Sequence, residues 1–581
     1  MKQLMIGNAA IARGAYEAGV TVASAYPGTP STEILENFCK YSGVYAEWAP
    51  NEKVALEVAA GASIAGARTL ATMKHVGVNV AADPLFTMAY VGVNGGLVLV
   101  SADDPGMHSS QNEQDNRGYG KYAKIPILEP SDSQEALNFT KAAYALSEQF
   151  DTPVILRITT RLAHSQTMVE IGESETYELK PYKKDAVKNV MLPAHAKIRH
   201  TIVERRLQDL SAYNENSAFN RIELGDKSLG IITSGIAYQY VKEALPQASV
   251  LKLGMVFPLP KTLIQDFAAQ VERLVVVEEL EPFIEDQIKA WGISVEGKNL
   301  FTLEGEYSPA MIARALGDEQ AYSAKYDLTQ SIPGRPPLLC PGCPHRGAFQ
   351  VLRQLKVTVS GDIGCYTLGA LAPLESLDAC VCMGASIGMA HGMEKARGRD
   401  QAKKTVAIIG DSTFVHSGIT SIINSLYNQG SGVVMILDND TTAMTGHQDH
   451  PATGRTLQKM PTISLDIPAL LSAIGIKNVQ VVDPLDIKTL ERVLKEELER
   501  EELSVIITKR SCALLPGVTF PDRLEVVSDK CTGCKMCIRV GCTGVHFLEE
   551  DKKAEITPAC VGCGLCADIC KFEAIVKKRR D

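Results

Sequence analysis

Cysteine spacing constrains the fold of this chain more than any other feature, because eight of its fifteen cysteines fall between Cys531 and Cys570. They form two similar motifs, Cys531-x2-Cys534-x2-Cys537-x4-Cys542 and Cys560-x2-Cys563-x2-Cys566-x3-Cys570. Two-residue spacers in a tight loop let three thiolates reach three irons of one cubane, and the fourth thiolate then comes from the other motif. The spacing predicts two 4Fe–4S clusters, on a first tail set (Cys531, Cys534, Cys537, Cys570) and a second tail set (Cys542, Cys560, Cys563, Cys566).

Zinc is the alternative occupant of these motifs, since four-cysteine zinc sites also use C-x2-C pairs. Two triplets that each need a distal fourth cysteine fit zinc poorly. The segment 522–581 resembles a two-cluster bacterial ferredoxin of α+β fold, fused to the C-terminus. It departs from that pattern twice: four residues instead of three precede Cys542, and Lys571 replaces the usual proline.

Bulk composition indicates a globular protein with 45% hydrophobic and 22% charged residues. The net charge of −9 argues against nucleic acid as the main partner. No signal pattern follows Met1, and no apolar run approaches the ~18 residues that a membrane helix needs. We therefore expect a cytoplasmic protein that binds no membrane.

Strand-like apolar runs alternate with Ala-rich helical stretches, which favours α/β domains built on parallel sheets. Short runs such as Val22–Ala25 and Leu97–Val100 indicate buried strands in the first domain. The polar range 166–224 lacks clear periodicity and is interpreted as a linker. A proline-rich break at Pro333–Pro337 separates the second α/β domain from the third. The predicted divisions are residues 1–165, the linker 166–224, and residues 225–330, 335–515 and 522–581.

Two buried-strand runs in the third domain end in polar side chains. Val406–Ile409 is followed by Gly410-Asp411-Ser412, and Val433–Leu437 is followed by Asp438-Asn439-Asp440. Neighbouring parallel strands place such residues at the same edge of the sheet, where α/β proteins bind ligands. Carboxylate and amide oxygens suit magnesium, which accompanies a diphosphate. A generic α/β turn with an exposed Gly-Asp is the alternative.

This strand pair resembles the thiamine diphosphate motif, a Gly-Asp-Gly followed by Asn-Asn about thirty residues later. Ser412 here replaces the last glycine and Asp440 the second asparagine. The resemblance implies that Gly410 and Ser412 border the cofactor. It also implies three Mg²⁺ ligands, namely the side chains of Asp411 and Asn439 and the backbone carbonyl of Thr441.

The N-terminal domain carries Tyr-Pro-Gly-Thr-Pro-Ser-Thr-Glu at residues 26–33, which closely resembles the YPITPST signature of 2-oxoacid:ferredoxin oxidoreductases. The resemblance implies that Pro27 and Thr29 line the cofactor and substrate site, while a helix-capping turn is the plainer interpretation. It also implies that Glu52 is the catalytic carboxylate against N1′ of thiamine, with Glu57 as the competing candidate. His75 and residues 108–117 correspond to a region that contacts the oxoacid in related enzymes, and a hydrogen-bonded surface loop is the alternative.

A third set of cysteines lies in the third domain: Cys340, Cys343, Cys365 and Cys512. A C-x2-C pair, a lone cysteine and a late cysteine in this order resemble the ligands of the cluster nearest thiamine in the same superfamily. Four thiolates would satisfy one further cubane. Inert buried thiols are the alternative, because burial is a common fate of cysteine.

The chain resembles 2-oxoacid:ferredoxin oxidoreductases along nearly its whole length, and its domain order resembles the α subunits of the indolepyruvate type. The resemblance implies thiamine-diphosphate-dependent, oxidative decarboxylation of aryl 2-oxoacids, with ferredoxin accepting electrons and coenzyme A accepting the acyl group. It further implies a small β subunit carrying a γ-type domain, in a heterotetramer of two α and two β chains. Two alternatives remain at this point: a non-oxidative thiamine-dependent decarboxylase with a structural ferredoxin tail, and a non-catalytic electron-transfer subunit.

Overall fold

A computed structural model describes residues 1–317, 336–520 and 523–578. The chain divides into two compact units, Met1–Gln330 and Ser331–Asp581. Most of the predicted break at Pro333–Pro337 lies outside the described residues. Among the described helices, none has both the length and the apolar character needed to cross a bilayer.

The centre of the first unit is a seven-stranded sheet in the order β12 (Met255–Phe257), β6 (Ile127–Leu128), β7 (Val154–Thr159), β5 (Leu97–Asp103), β4 (Thr69–Lys74), β2 (Val22–Ala25) and β3 (Tyr45–Trp48). All neighbours in it are parallel except β12, which runs antiparallel to β6. Strands β4, β5 and β7 are buried along almost their whole length because helices cover both faces, as parallel sheets require. The parallel α/β sheet predicted from the apolar runs is therefore confirmed.

The strands of residues 1–170 are β1 (Lys2–Ile6), β2 (Val22–Ala25), β3 (Tyr45–Trp48), β4 (Thr69–Lys74), β5 (Leu97–Asp103), β6 (Ile127–Leu128), β7 (Val154–Thr159) and β8 (Gln166–Glu170). The helices are α1 (Gly7–Glu17), α2 (Thr32–Phe38), α3 (Glu52–Ile64), α4 (His75–Val80), α5 (Ala82–Val91), α6 (Arg117–Ala123), α7 (Ser133–Phe150) and α8 (Thr160–His164). Strands β1 and β8 form a separate antiparallel pair.

The range predicted as a linker is ordered over much of its length. It contains β8, α9 (Ala186–Asn189), the 22-residue helix α10 (Pro193–Asn214) and β9 (Arg221–Glu223). Helix α10 packs on α5 through buried arginines, for example Arg199, whose Nε donates to the Tyr90 carbonyl at 2.6 Å. The sequence pattern concealed this helix because its buried positions include arginines, which bind backbone carbonyls and, in the case of Arg199, also the Asp151 carboxylate.

A second sheet of the first unit has the order β13-β10-β11-β9. Its elements and those that follow are β10 (Asp226–Ser234), α11 (Ala237–Ala244), β11 (Ala248–Leu253), β12 (Met255–Phe257), α12 (Lys261–Ala268), β13 (Leu274–Val277), α13 (Phe283–Ala290) and α14 (Pro309–Leu316). Strand β12 leaves this region and joins the edge of the first sheet. Residues 225–317 are thus tied to the N-terminal sheet by backbone hydrogen bonds.

Buried ion pairs also join the parts of the first unit. Arg157 on β7 donates to Glu129 at 2.6 Å, and Arg117 donates to Glu278 at 2.6 Å. All four side chains are nearly inaccessible to solvent. Arg117 is the last residue of the segment 108–117, so its guanidinium is committed to this junction.

A fully parallel five-stranded sheet with the order β14-β15-β16-β18-β17 forms the centre of the second unit. Its elements are α15 (His345–Leu355), β14 (Thr358–Ser360), α16 (Ala385–Arg397), α17 (Arg399–Ala402), β15 (Thr405–Gly410), α18 (Asp411–Thr413), α19 (Ile419–Tyr427), β16 (Val433–Asp438), α20 (Ile467–Ala473), β17 (Asn478–Val482), α21 (Ile487–Leu498) and β18 (Ser504–Lys509). The predicted strands at 406–409 and 433–437 are confirmed as β15 and β16, and they are adjacent.

The cysteine-rich tail folds as two small antiparallel strand pairs, β19–β22 and β20–β21. Its elements are β19 (Leu524–Val526), β20 (Val545–Leu548), β21 (Lys553–Ile556), α22 (Leu565–Asp568) and β22 (Ile575–Lys577). Cysteines provide much of its small core together with residues such as Leu524 and Ile575. The tail therefore resembles the α+β ferredoxin arrangement expected from the sequence.

Candidate functional site

Asp411 lies directly at the carboxyl end of β15, as the sequence predicts, and its side chain is buried. Its Oδ1 accepts a hydrogen bond from the Ser412 backbone N–H at 2.9 Å, and its Oδ2 lies 3.2 Å from His450 Nε2. Burial raises the pKa of this carboxyl, and the hydrogen bond and charge of His450 outweigh burial and hold the pKa below its usual value. Asp411 is therefore kept ionised in a buried place, as a cation ligand must be.

Asn439 and Thr441 bring two more polar atoms to the same point. One terminal atom of the Asn439 amide lies 3.2 Å from Asp411 Oδ1 and 2.9 Å from the Thr441 carbonyl oxygen. With nitrogen in that position the amide donates to both acceptors, whereas with oxygen there three oxygens face one another. Adjacent oxygens around Mg²⁺ at 2.0–2.1 Å are about 2.9 Å apart. The spacing of the expected ligand set thus suits an octahedral magnesium ion.

The segment after Asn439 folds back over the end of β15. Thr442 Oγ1 donates to Ser412 Oγ at 2.9 Å, and the Thr442 N–H donates to the Gln448 carbonyl at 3.0 Å. This return brings His450 to Asp411. Sequence reasoning missed His450, because it lies 39 residues from its partner and belongs to no motif. A histidine shortly after the Asn-Asp turn was the only available signal.

The expected glycine at 410 is explained by a neighbouring aromatic ring. A Cβ on Gly410 would lie 2.7 Å from Tyr366 Cε1, and the Tyr366 hydroxyl donates to the Ile363 carbonyl at 2.9 Å.

The residues after Asp411 continue as a short π-helix, Phe414–Gly418, an irregularity that is frequent at functional sites. Burial lowers the pKa of His345, whose ring packs edge-on against Tyr366, to about 4.

Glu52 is the first residue of α3 in the other unit, and it is only 4% exposed. Asn51 caps the helix by accepting from the Val54 N–H at 3.0 Å, and the helix N-terminus favours a carboxylate at this position. Gly77 packs against the carboxyl group, since a Cβ there would lie 2.7 Å from Glu52 Oε1. The competitor Glu57 is exposed on the helix surface and pairs with Lys53.

The 26–33 loop follows β2 and lies beside the ends of β4 and β5. Lys74, the last residue of β4, passes within 3.3 Å of the position that a Cβ on Gly28 would take, and its Nζ donates to the Ser109 carbonyl at 2.9 Å. Burial lowers the pKa of Lys74, which the charges of Asp104 and Glu52 oppose. Pro27 is buried and Thr29 half-buried, and Ser31 donates to the Gly28 carbonyl at 2.9 Å without capping α2 through its side chain.

His75 is fully buried at the start of α4, and its Nε2 lies 3.2 Å from both side-chain and backbone oxygens of Asn112. Its Nδ1 is buried without a hydrogen-bond partner in the described chain. The segment 108–117 therefore packs on the carboxyl edge of the sheet around His75. A buried, unpartnered ring nitrogen is available there for a ligand.

The four cysteines of the third set are neighbours. Burial raises the pKa of Cys343 to about 12, and the charges of Cys365 and Cys512 add to that effect. Burial raises the pKa of Cys365 to about 11, with added effects from Cys512 and Cys340. Cys512 also lies against one of the expected magnesium ligands, because its N–H donates to the Asn439 carbonyl at 2.9 Å. The set of four thiols thus meets the expected diphosphate site through Cys512.

The tail cysteines group as the ferredoxin pattern requires. Burial raises the pKa of Cys537, and the charges of Cys531, Cys534 and Cys570 raise it further. Burial raises the pKa of Cys566, as do its neighbours Cys563, Cys560 and Cys542. Each set of four thus combines three cysteines of one motif with the distal cysteine of the other.

Within residues 1–317, 336–520 and 523–578, no group of three or more His, Cys, Asp or Glu side chains is arranged to hold a single metal ion.

Three family models match the chain. They are "Pyruvate flavodoxin/ferredoxin oxidoreductase, thiamine diP-bdg" over residues 13–228, "Indolepyruvate oxidoreductase domain" over 229–329, and "Thiamine pyrophosphate enzyme, C-terminal TPP binding domain" over 362–508. The first and last are thiamine-diphosphate-binding domains. They cover the ranges in which Glu52 and the Asp411–Thr441 group lie.

Relatives match nearly from end to end. Indolepyruvate oxidoreductase subunit IorA of Archaeoglobus fulgidus is 42% identical over 99% of this chain and 97% of its own length. The subunit of the same name from Pyrococcus abyssi is 43% identical over 99% of this chain and 97% of its own length. A solved 2-oxoglutarate:ferredoxin oxidoreductase from Magnetococcus marinus matches with a TM-score of 0.47 and 19% identity. The match covers 54% of this chain and 64% of that chain. From the identity to full-length relatives, the chain belongs to the family of indolepyruvate oxidoreductase subunits IorA.

Proposed function

We propose that this chain is the catalytic α subunit of an indolepyruvate ferredoxin oxidoreductase. It decarboxylates aryl 2-oxoacids of the indolepyruvate type, passes two electrons to ferredoxin and yields an acyl-coenzyme A. Support comes from the end-to-end likeness to IorA subunits together with the two thiamine-diphosphate-binding domains.

One observation supports the oxidative reaction over simple decarboxylation. The third cysteine set adjoins the expected magnesium ligands through the hydrogen bond from the Cys512 N–H to the Asn439 carbonyl. A one-electron acceptor in this place would border the cofactor's diphosphate end within the same unit. An enzyme that releases its product without oxidation has no use for such a neighbour.

The proposed roles of the residues come from the family resemblance, and the geometry of the site is compatible with them. Thiamine diphosphate, when bound, supplies the nucleophilic carbon and the electron sink for decarboxylation. Asp411, Asn439 and the Thr441 carbonyl would hold Mg²⁺, and His450 keeps the Asp411 carboxyl ionised. Glu52 would hold and move a proton at N1′ of the aminopyrimidine. Gly410 and Ser412 would border the diphosphate, and Pro27 and Thr29 keep the cofactor-binding and substrate-binding role that the family signature implies.

We assign three 4Fe–4S clusters to the chain, on the third set and the two tail sets. For the ranges predicted from the sequence we propose a pyrimidine-binding domain (1–165), a transketolase C-terminal-like domain (225–330), a diphosphate-binding domain (335–515) and a ferredoxin-like tail (522–581). Residues 166–224 form an ordered connection between the first two domains. The relatives are named as subunits. The proposed partner is a small β subunit with the γ-type domain, in an assembly of two α and two β chains in the cytoplasm.

Iron analysis tests the cluster assignment. The full-length protein, purified without oxygen, should contain about twelve irons, because each cubane holds about four. The double variant Cys340→Ser/Cys343→Ser should fall to about eight irons while the tail clusters survive. The matched control is Cys380→Ser/Cys382→Ser, which removes two exposed thiols outside all three sets and should retain about twelve.

Two outcomes would contradict the assignment. An iron content of about eight in the wild-type protein, unchanged in the Cys340→Ser/Cys343→Ser variant, would rule out a cluster on the third set. Zinc in the tail instead of iron would remove the electron-transfer function altogether.

A further inference from the structure

Arg346 is a buried arginine that none of the motifs contains. It lies in the first turn of α15, directly after the Cys340–Cys343 loop, and it is 2% exposed. Among the residues that the structure describes, its guanidinium donates only to backbone carbonyls. On one side these are the carbonyls of Leu339 and Cys340, the latter at 3.3 Å from Nε. On the other side Nη1 donates to the carbonyls of Val540 and Gly541, at 2.9 and 2.5 Å.

The second pair of carbonyls belongs to the tail loop that leads into Cys542. This loop contains the additional residue that separates the first motif from the bacterial ferredoxin pattern. Gly541 has φ +68°, and a Cβ there would lie 2.9 Å from Pro373 Cδ and 3.3 Å from Arg346 Nη1. The longer loop thus presents two adjacent carbonyls to Arg346 at a position that only glycine fits without strain.

The same face of the tail packs on the third cysteine set around Arg346. Val540, Leu565 and Ile569 form one apolar cluster with Leu485, which follows β17. A Cβ on Gly342, inside the Cys340–Cys343 loop, would lie 2.6 Å from Val561 Cγ2 in the second tail motif. The loops that carry the two cysteine sets are therefore in contact, with the guanidinium between them.

The charge of Arg346 reaches thiols on both sides. Burial raises the pKa of Cys343 and of Cys563, and the charge of Arg346 opposes the rise in each case. A buried cation that contacts only neutral carbonyls in the described chain leaves its charge uncompensated, which is costly. Four-thiolate iron–sulfur clusters are net anionic, and two of them would provide the missing counter-charge.

We propose that Arg346 is a positioning residue that docks the second tail set against the third set and raises the reduction potentials of both clusters. The inference rests on the proposed function, because it requires that both sets hold clusters. A positive charge stabilises the reduced, more negative state of each neighbouring cluster. Arg346 contacts the turn Cys537–Val540 at its last carbonyl, three residues beyond Cys537 of the first tail set, so we expect the potential of that cluster to change least and use it as the internal reference.

The test is an EPR-monitored redox titration of the complete holoenzyme, purified without oxygen. Arg346→Gln should lower the midpoint potentials of two of the three clusters by about the equivalent of a tenfold change in the reduction equilibrium, which is 59 mV for one electron. The cluster on the first tail set should shift least. Arg346→Lys retains the charge and should keep all potentials near the wild-type values, although it loses the forked hydrogen bonds.

Arg539→Gln is the matched control, since Arg539 belongs to the same tail loop but is exposed, and solvent screens its charge. It should shift no potential.

Unchanged potentials in a fully loaded Arg346→Gln variant, or an equal shift of all three clusters, would overturn the proposal. Should Arg346→Gln fail to assemble, Arg346→Lys decides: a shift of two potentials despite the retained charge contradicts the electrostatic role. An iron content of about eight per wild-type chain would instead contradict the proposed cluster on the third set, so the iron content is measured first.

Discussion

Glu52→Gln should lower 2-oxoacid-dependent ferredoxin reduction by roughly 10²–10⁴-fold, the usual contribution of a positioned proton-transfer group. Cofactor binding should remain nearly intact, because magnesium and the diphosphate provide most of the anchoring. Gln has the size of Glu and can still hydrogen-bond next to Gly77, so the fold should tolerate the change. The measurements are steady-state reduction of ferredoxin and hydrogen–deuterium exchange at C2 of the thiazolium ring.

Glu57→Gln is the matched control on the same helix. Glu57 is exposed and pairs with Lys53, and exposed i,i+4 pairs contribute little to stability. Activity of this variant should be close to that of the wild type. Normal C2 exchange in the Glu52 variant, or a larger defect in the Glu57 variant, would remove Glu52 from the catalytic role.

Asp411→Ala should abolish thiamine diphosphate binding, because it removes a charged magnesium ligand and leaves His450 without its partner. The clusters should survive, since their cysteines lie on other segments. Isothermal calorimetry with thiamine diphosphate and Mg²⁺ measures the affinity directly, and iron analysis shows whether the clusters remain.

Asp440→Asn serves as the control for Asp411. The Asp440 carboxylate binds Lys509 and Ser511 and does not face Asp411, and its φ of +60° suits asparagine as well as aspartate. Its cofactor affinity should match that of the wild type. Unchanged affinity in Asp411→Ala, or a comparable loss in Asp440→Asn, would move the diphosphate site elsewhere.

Features with short-range patterns were predictable from the sequence. The buried strands β15 and β16 are continuous apolar runs, and the polar residues that end them necessarily meet at one edge of a parallel sheet. The grouping of the tail cysteines follows from their spacing in the ferredoxin motif. In these cases the positions that matter are adjacent in sequence or related by a simple repeat.

Other features depend on partners that carry no signature. Arg346 binds backbone carbonyls, which every residue has, so no pattern announces its role. Strand β12 is three residues long and joins a sheet formed by distant segments. Helix α10 buries arginines such as Arg199 and Arg206, which a periodicity argument counts as polar and therefore exposed. Each of these required the tertiary structure.

Anaerobic mixing of the holoenzyme and its partner subunit with indolepyruvate tests the central claim most directly. Visible absorbance and EPR report the oxidation state of the clusters in the absence of ferredoxin. The account predicts that the substrate reduces the clusters at least as fast as turnover, and that reduction is lost in Glu52→Gln and in protein depleted of thiamine diphosphate. Release of carbon dioxide while the clusters stay oxidised would contradict the account and identify a non-oxidative decarboxylase.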